Sequence, residues 1–396
     1  MRALAYAALA IAAYALLLLP ALALNHFDPS AFIVAGDQWV NAHATPGPIL
    51  VRPNSGGYDG EFYYRLANHP FSFDTTAAGV QLDTPAWRMR RILYPLLALV
   101  AAAGSAKLIA YTLVALNLAG LGAIAALASR IAVKLALPNW TPLAVLAWPG
   151  FFVTLTHDTT EITAATFALA ALVAYLNRHL IPYALLGACA LFTRETTLLI
   201  FAGIAAYEFT QYRNDHARLK WAATSVLLML PFLCWHVIVT VAWQSHPQPH
   251  QIPQHNLGLP FLGALQNLAD CATGTRAWAS TPTKNLIERA IVLFTATGLI
   301  AFCALTATSL RTSFNRPAAP IAAAWLAIAA LMSLATADGP WVDPTAYARA
   351  FTECYVLGCF VIGASNRAPS RAITALTTAQ FATIWIFTTI QFRPAT

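Results

Sequence analysis

Asp59 and Glu61 stand two residues apart in the stretch NSGGYDGEFYYRLANHP, Asn54 to Pro70, where three glycines, two acids and four aromatic residues crowd together. Carboxylates so placed can take a proton from a hydroxyl or bind a hard cation. Gly56, Gly57 and Gly60 bracket Tyr58 and Asp59, which lets the backbone adopt positive φ and predicts a tight turn that presents Asp59. A turn-capping aspartate is the plainer alternative. The following EFYYRLA reads as a short helix with Phe62, Tyr63 and Leu66 flat on an apolar boundary and Glu61 paired with Arg65 at i,i+4.

Other charged residues collect in a few short stretches. DTPAWRMRRILYPLLALV places Arg88, Arg90 and Arg91 before an apolar segment too short to span a bilayer, and guanidinium forks at a lipid boundary suit a phosphate or an anionic lipid headgroup. HDTTE carries Asp158 and Glu161 three residues apart at a helix start, expected to share one face with Thr159 and Thr160 as caps; helix-dipole stabilisation explains the acids equally well. FTRET puts Arg194 beside Glu195, as an internal ion pair or a phosphate site. In YARAFTECY, Arg349 and Glu353 are expected to pair at i,i+4.

The elements that must position these groups follow from composition. Of 396 residues, 58% are hydrophobic and 10% charged, and the mean hydropathy is +0.59. That excludes an ordinary soluble domain and predicts an all-α polytopic membrane protein with about eleven spans, each of about 20 apolar residues. Ile109 to Ala128, Trp221 to Trp243, Ile291 to Ser309 and Ile373 to Ile390 meet that length. Met1 to Leu24 reads as a retained signal anchor rather than a cleaved signal peptide. Basic segments at Arg130 to Lys134, Asn177 to His179, Arg213 to Lys220, Arg311 to Arg316 and Arg367 to Arg371 mark a cytoplasmic side, leaving nearly all acids on the other.

The net charge of +7 thus reports topology, and nucleic acid is not an expected partner. Six scattered cysteines indicate neither a disulfide framework nor a thiolate cluster. Two extracytoplasmic loops are long, 25–91 and 244–285; HPQPHQIPQH in the second matches no zinc signature. Trp148, Trp243 and Trp341 lie near span ends, as in an interfacial aromatic belt. The hairpins Thr141 to Leu155 with Ile162 to Leu176, and Ile181 to Phe192 with Thr197 to Gln211, are short. Helices of about 12 to 16 residues reach only ~18 to 24 Å, so their tips, HDTTE and TRE, should line a cavity below the membrane surface. No internal repeat marks a boundary, and the chain reads as one domain, 1–396.

A first span, a large first external loop with a carboxylate motif, and further acidic short loops resemble the GT-C superfamily of polyprenyl-phosphate-sugar-dependent glycosyltransferases. GYDGEFYYRLA followed by RRILYPLLA is similar to bacterial integral-membrane proteins of that type, mannosyltransferase-like and linked to cell-surface glycopolymers. The layout covers most of the chain, whereas the motif match is confined to Asn54 to Leu97; the family's acidic pair usually falls earlier in the loop than Asp59 and Glu61 do. The resemblance implies an inverting transferase in a bacterial inner membrane, active on the extracytoplasmic face, with a lipid-linked sugar donor and a glycan, lipid or protein acceptor.

On that reading Asp59 is the candidate general base, with Glu61 as a cation ligand or acceptor-orienting group, and Arg88, Arg90, Arg91 and Arg194 hold the donor phosphate. Tyr58, Tyr63, Arg65, Asp158, Glu161, Glu195 and Arg349 line the cavity. A divalent cation, Mg or Mn, is a candidate cofactor, with Asp59, Glu61 and Asp158 as possible ligands. A transporter or flippase of a lipid-linked glycan is the first alternative, although charge collected at one side favours surface chemistry over passage. A non-catalytic envelope-assembly subunit is the second.

Overall fold

The computed structural model describes residues 2–213, 215–244, 256–275, 282–365 and 371–392. HPQPHQIPQH, with its histidines, lies outside the described residues, as does most of the basic segment Arg367 to Arg371. In chain order the helices are α1 (Arg2–Leu24), α2 (Asp59–Asn68), α3 (Pro85–Met89), α4 (Leu93–Ala101), α5 (Ile109–Lys134), α6 (Thr141–Leu146), α7 (Pro149–Thr156), α8 (Glu161–Leu176), α9 (Leu180–Thr193), α10 (Leu198–Thr210), α11 (His216–Leu227), α12 (Leu230–Gln244), α13 (Leu262–Thr273), α14 (Pro282–Phe314), α15 (Ala319–Ser333), α16 (Pro344–Ala350), α17 (Thr352–Ala364) and α18 (Arg371–Gln391).

Among the described residues, four stretches are long and apolar enough to cross a membrane: Arg2–Leu24, Ala106–Lys134, His216–Gln244 and Asn285–Phe314. Each exceeds the roughly 20 residues that a hydrocarbon core demands. Shorter apolar helices, Glu161–Leu176, Leu180–Thr193, Ala319–Ser333 and Thr352–Ala364, pack among them. The main bundle is built by α1 on α5, α5 on α8, α8 on α9, α10 on α15 and α14 on α17. Close approach needs small residues at two of these seams. A Cβ at Gly120 of α5 would meet Ile162 at 2.6 Å, and one at Gly203 of α10 would meet the backbone of Ala323 and Ala324 at 2.6 Å.

Segment 25–91 is folded against the bundle rather than spread on a boundary. Two parallel-paired strands, β1 (Ala35–Gly36) and β2 (Val51–Arg52), and an antiparallel pair, β3 (Thr76–Ala77) and β4 (Val80–Gln81), frame α2. The expectation that Phe62, Tyr63 and Leu66 lie flat in the interface is overturned. All three are buried, in a second apolar core that joins Ile33, Val80, Tyr94 and Leu113 to Val239 and Trp243. The physical reason is that α2 packs on α4, α5 and β4 together, so its apolar residues meet protein on every side.

The aromatic-belt reading fails for the same reason. Trp148, Trp243 and Trp341 are all buried, and Trp148 donates to Thr352 Oγ1 at 3.1 Å while stacking on Tyr355.

Candidate functional site

Positioning begins at the glycine turn. Gly57 has φ +65°, and a Cβ there would lie 2.2 Å from the Glu61 carboxylate; a Cβ at Gly60 would lie 2.6 Å from the carbonyls of both His157 and Ile33. Gly60 thereby lets the start of α2 dock on the HDTTE turn between α7 and α8. Gly57→Ala combines a left-handed conformation with a clash, so a loss of about 2 kcal/mol or more of stability is expected. Denaturant unfolding in detergent measures it, and a value under about 0.5 kcal/mol would show that the turn relaxes freely.

Asp59 occupies the first turn of α2, where the helix dipole favours an anion. Its two oxygens are held by different arginines: Arg88 Nη1 donates to Oδ1 at 2.7 Å and Arg349 Nη2 to Oδ2 at 2.7 Å. Arg88 also forms a bidentate pair with Asp83, at 2.8 and 2.7 Å. Arg349 reaches on to Glu161, at 2.9 Å from Nη2, and lies 5.0 Å over the ring of Tyr58. Arg194 lies 3.9 Å from Glu161 and 2.6 Å from Glu353. One chain of ion pairs thus runs from Asp83 through Arg88, Asp59, Arg349, Glu161 and Arg194 to Glu353. Beside it, Arg91 grips Glu195 at 2.9 and 2.6 Å and donates to Tyr63 Oη at 3.3 Å.

The network gathers side chains from segment 25–91, from both hairpin tips and from the junction of α16 and α17. It also corrects three local pairings. Glu61 does not pair with Arg65: its Oε2 accepts from the Gly36 N–H at 2.9 Å, and Arg65 donates to the backbone carbonyls of Ser72 and Asp74. Arg349 and Glu353 bind Glu161 with Asp59 and Arg194 respectively, not each other. Arg194 and Glu195 likewise take distant partners. Arg349, Arg194 and Arg91 find their carboxylates across the bundle because the low-dielectric interior rewards a close opposite charge far more than a solvated i,i+4 contact would.

Asp158 stands apart. It is fully buried at φ +46°, and neither carboxylate oxygen has a hydrogen-bond partner. The left-handed backbone breaks the helical register that would have placed it on the face of Glu161, and Thr160 makes no side-chain cap. Asn117 of α5 anchors the same turn, donating to the Thr159 carbonyl at 3.3 Å and to Tyr94 Oη at 2.9 Å. Among the described residues Arg90 joins no ion pair, and it rests on Trp87 instead, its guanidinium 5.1 Å from the ring. Among the described residues no group of three or more His, Cys, Asp and Glu is arranged to hold a metal ion.

Two carboxyls of α2 are driven in opposite directions. Burial pushes Asp59 up, but Arg88 and Arg349 outweigh it and hold the group well below the usual carboxylate range. Glu61 is fully buried and is pushed up to about 8 by desolvation, which the Gly36 N–H only partly offsets. The folded protein therefore keeps a proton on Glu61 that the unfolded chain releases above the ordinary glutamate range. Its contribution is full below that range and declines as pH rises toward about 8. Glu61→Gln should flatten the fall in stability between pH 5 and 8, read from unfolding midpoints in detergent. Identical slopes for the two proteins would refute this protonation.

Asp59 and Glu195 are the more accessible carboxylates of the network, each with 21% of its side chain exposed, against 1% for Glu161 and 2% for Glu353. Of the α2 pair, only Asp59 can meet a ligand without unfolding the turn. Asp83, the bidentate partner of Arg88, is the residue that sequence reasoning passed over; its signal was the D-T-P helix start five residues upstream. Phe351 and Cys354, flanking Glu353, open onto an apolar groove of about 410 Å³ between α13, α14, α15 and α17, walled by Trp325, Met332 and Trp341.

Comparison with family models, curated proteins and solved structures finds no match to this chain.

Proposed function

We propose that this chain is a membrane glycosyltransferase that moves a sugar from a polyprenyl-phosphate-linked donor to an extracytoplasmic glycan, lipid or protein acceptor. In this reading about eleven spans cross a bacterial inner membrane, the short helices included, with the ion-pair network on the extracytoplasmic side. The observation that carries it is an accessible carboxylate, Asp59, clamped by two arginines in an ion-pair network whose far member, Glu353, lies between two residues that line an apolar groove.

The acceptor hydroxyl attacks the anomeric carbon while Asp59 takes its proton, and the bond from that carbon to the donor phosphate breaks. The electron pair leaves on the phosphate oxygen, whose growing charge a guanidinium stabilises. Asp59 is a weak base while both arginines hold it. A donor phosphate that draws Arg88 or Arg349 toward itself would free one carboxylate oxygen and raise its basicity, coupling donor binding to activation. The groove suits the isoprenoid chain, being apolar and lined by Phe351 and Cys354 beside Glu353.

Of the candidate cation ligands, Asp158 has two uncommitted oxygens and Glu61 one, both side chains being fully buried, whereas Asp59 would have to give up an arginine.

The test is to offer the purified protein a panel of polyprenyl-phosphate sugars with candidate acceptors and to follow labelled sugar. Transfer by wild type and its loss in Asp59→Asn support the reading. No transfer across broad donor and acceptor panels would leave a transporter or a scaffold as the better account.

A further inference from the structure

The end of the bundle away from the ion-pair network carries a different charge pattern. The last turns of α5 lie about 20 to 25 Å along the helix from Asn117, at 1.5 Å per residue, and bear Arg130 and Lys134. Two cavities meet there and share Arg2, Ser129 and Val133 in their walls. One, of about 490 Å³, lies among the ends of α1, α5 and α8, with Arg2, Arg130, Lys134 and Asn177 in its lining. The other, of about 430 Å³, lies between α1 and the start of α6 and adds Tyr6 and Asn139.

Among the described residues, none of Arg2, Arg130 and Lys134 is in an ion pair. Glu208 and Asp215, the acids that chain order places on this side, are bonded elsewhere: Glu208 is held by Arg178, Arg218 and Tyr175, and Asp215 pairs with Arg218 and caps α11. Three positive charges therefore face the larger cavity, and no carboxylate stands in its wall. Apolar surface begins beside them, since Leu4, Leu9 and Val133 are exposed on helices of spanning length. A soluble anion would answer the charge and leave that surface unused. A lipid with a phosphate at the boundary and chains along the helices meets both.

We propose that this pair of cavities binds an anionic glycerophospholipid of the leaflet on the side that the basic segments mark as cytoplasmic. Its phosphate sits among Arg2, Arg130 and Lys134, its polar head reaches past Ser129 toward Tyr6 and Asn139, and its acyl chains run along the exposed apolar residues of α1 and α5. One lipid so held ties α1 to α5, because its phosphate answers a charge from each helix at once. Occupancy of this site is independent of the glycosyltransferase reading, whose residues lie at the other end of the bundle.

Dioleoylphosphatidylglycerol is the probe, titrated into the full-length protein stripped of lipid in a neutral detergent and followed by intact-protein mass spectrometry. Dioleoylphosphatidylcholine and glycerol 3-phosphate are run in parallel. One phosphatidylglycerol should be retained at concentrations where phosphatidylcholine is not, and the double substitution Arg130→Gln with Lys134→Gln should weaken it at least tenfold. Arg311→Gln with Arg316→Gln removes the same charge from the same side but outside both cavities, and should leave the affinity unchanged. Lipid-free unfolding midpoints of both double variants should match wild type, because these four cations are exposed. Equal weakening by the two double variants overturns the proposal, since it would mark diffuse attraction to the basic side alone. So does phosphatidylcholine binding as tightly as phosphatidylglycerol, or glycerol 3-phosphate displacing the probe at similar concentration, which would mark a soluble-anion site.

Discussion

Asp59→Asn is expected to lower sugar transfer by about 10²- to 10⁴-fold, the range lost when a positioned general base is removed. Asparagine keeps the shape of the side chain and one acceptor oxygen, so the substitution separates proton transfer from packing. It also leaves Arg88 and Arg349 facing a neutral group, and destabilisation of up to about 3 kcal/mol follows from the unpaired charge, moderated because Asp59 is partly exposed and Arg88 retains Asp83. The two effects separate in one experiment: single-turnover transfer measured at a temperature where unfolding curves show both proteins fully folded. Asn at position 59 with wild-type turnover would show that the carboxylate only holds the two arginines in place.

Arg349→Met is expected to cost about 3 to 5 kcal/mol, the largest stability loss of any single change in the network. Arg349 is 10% exposed at its side chain and, among the described residues, is the ion-pair link between Asp59 on α2 and Glu161 on α8; its removal leaves Glu161 with Arg194 at 3.9 Å. Because the penalty comes from stranded charge and not from lost volume, a second substitution should return part of it. Glu161→Gln in the Arg349→Met background should be more stable than Arg349→Met alone, and a double-mutant cycle on urea midpoints in detergent reads the coupling. Strict additivity of the two losses would show that the ion pair is uncoupled and that the packing of α16 carries the cost.

Most of the site's inventory was legible without coordinates. Asp59, Arg88, Arg91, Glu161, Arg194, Glu195 and Arg349 stand out because ionisable groups in an otherwise apolar chain need a partner or a use. Their partners were not legible. The reading by local spacing paired Glu61 with Arg65 and Arg349 with Glu353, contacts worth about 0.2 to 0.5 kcal/mol on a solvated helix. The folded chain joins Arg349 to Asp59 across 290 positions and Arg194 to Glu353 across 159. The same limit applies to EFYYRLA, whose amphipathic look says that one face is apolar but not whether lipid or protein covers it.

What the sequence determined by itself is whatever depends on nearest neighbours and bulk solvent. Long apolar runs become spanning-length helices, because only internal hydrogen bonding satisfies a backbone in hydrocarbon, and a glycine pair permits the positive φ at Gly57 that turns the chain before Asp59. Tertiary structure alone decided that α2 is buried, that Asp59 is clamped while Asp158 is left without a hydrogen-bond partner among the described residues, and that Arg90 rests on Trp87. Those outcomes turn on which charges meet in a low-dielectric interior. There an ion pair gains or costs several kcal/mol according to contacts between residues far apart in the chain, and local spacing carries no record of them.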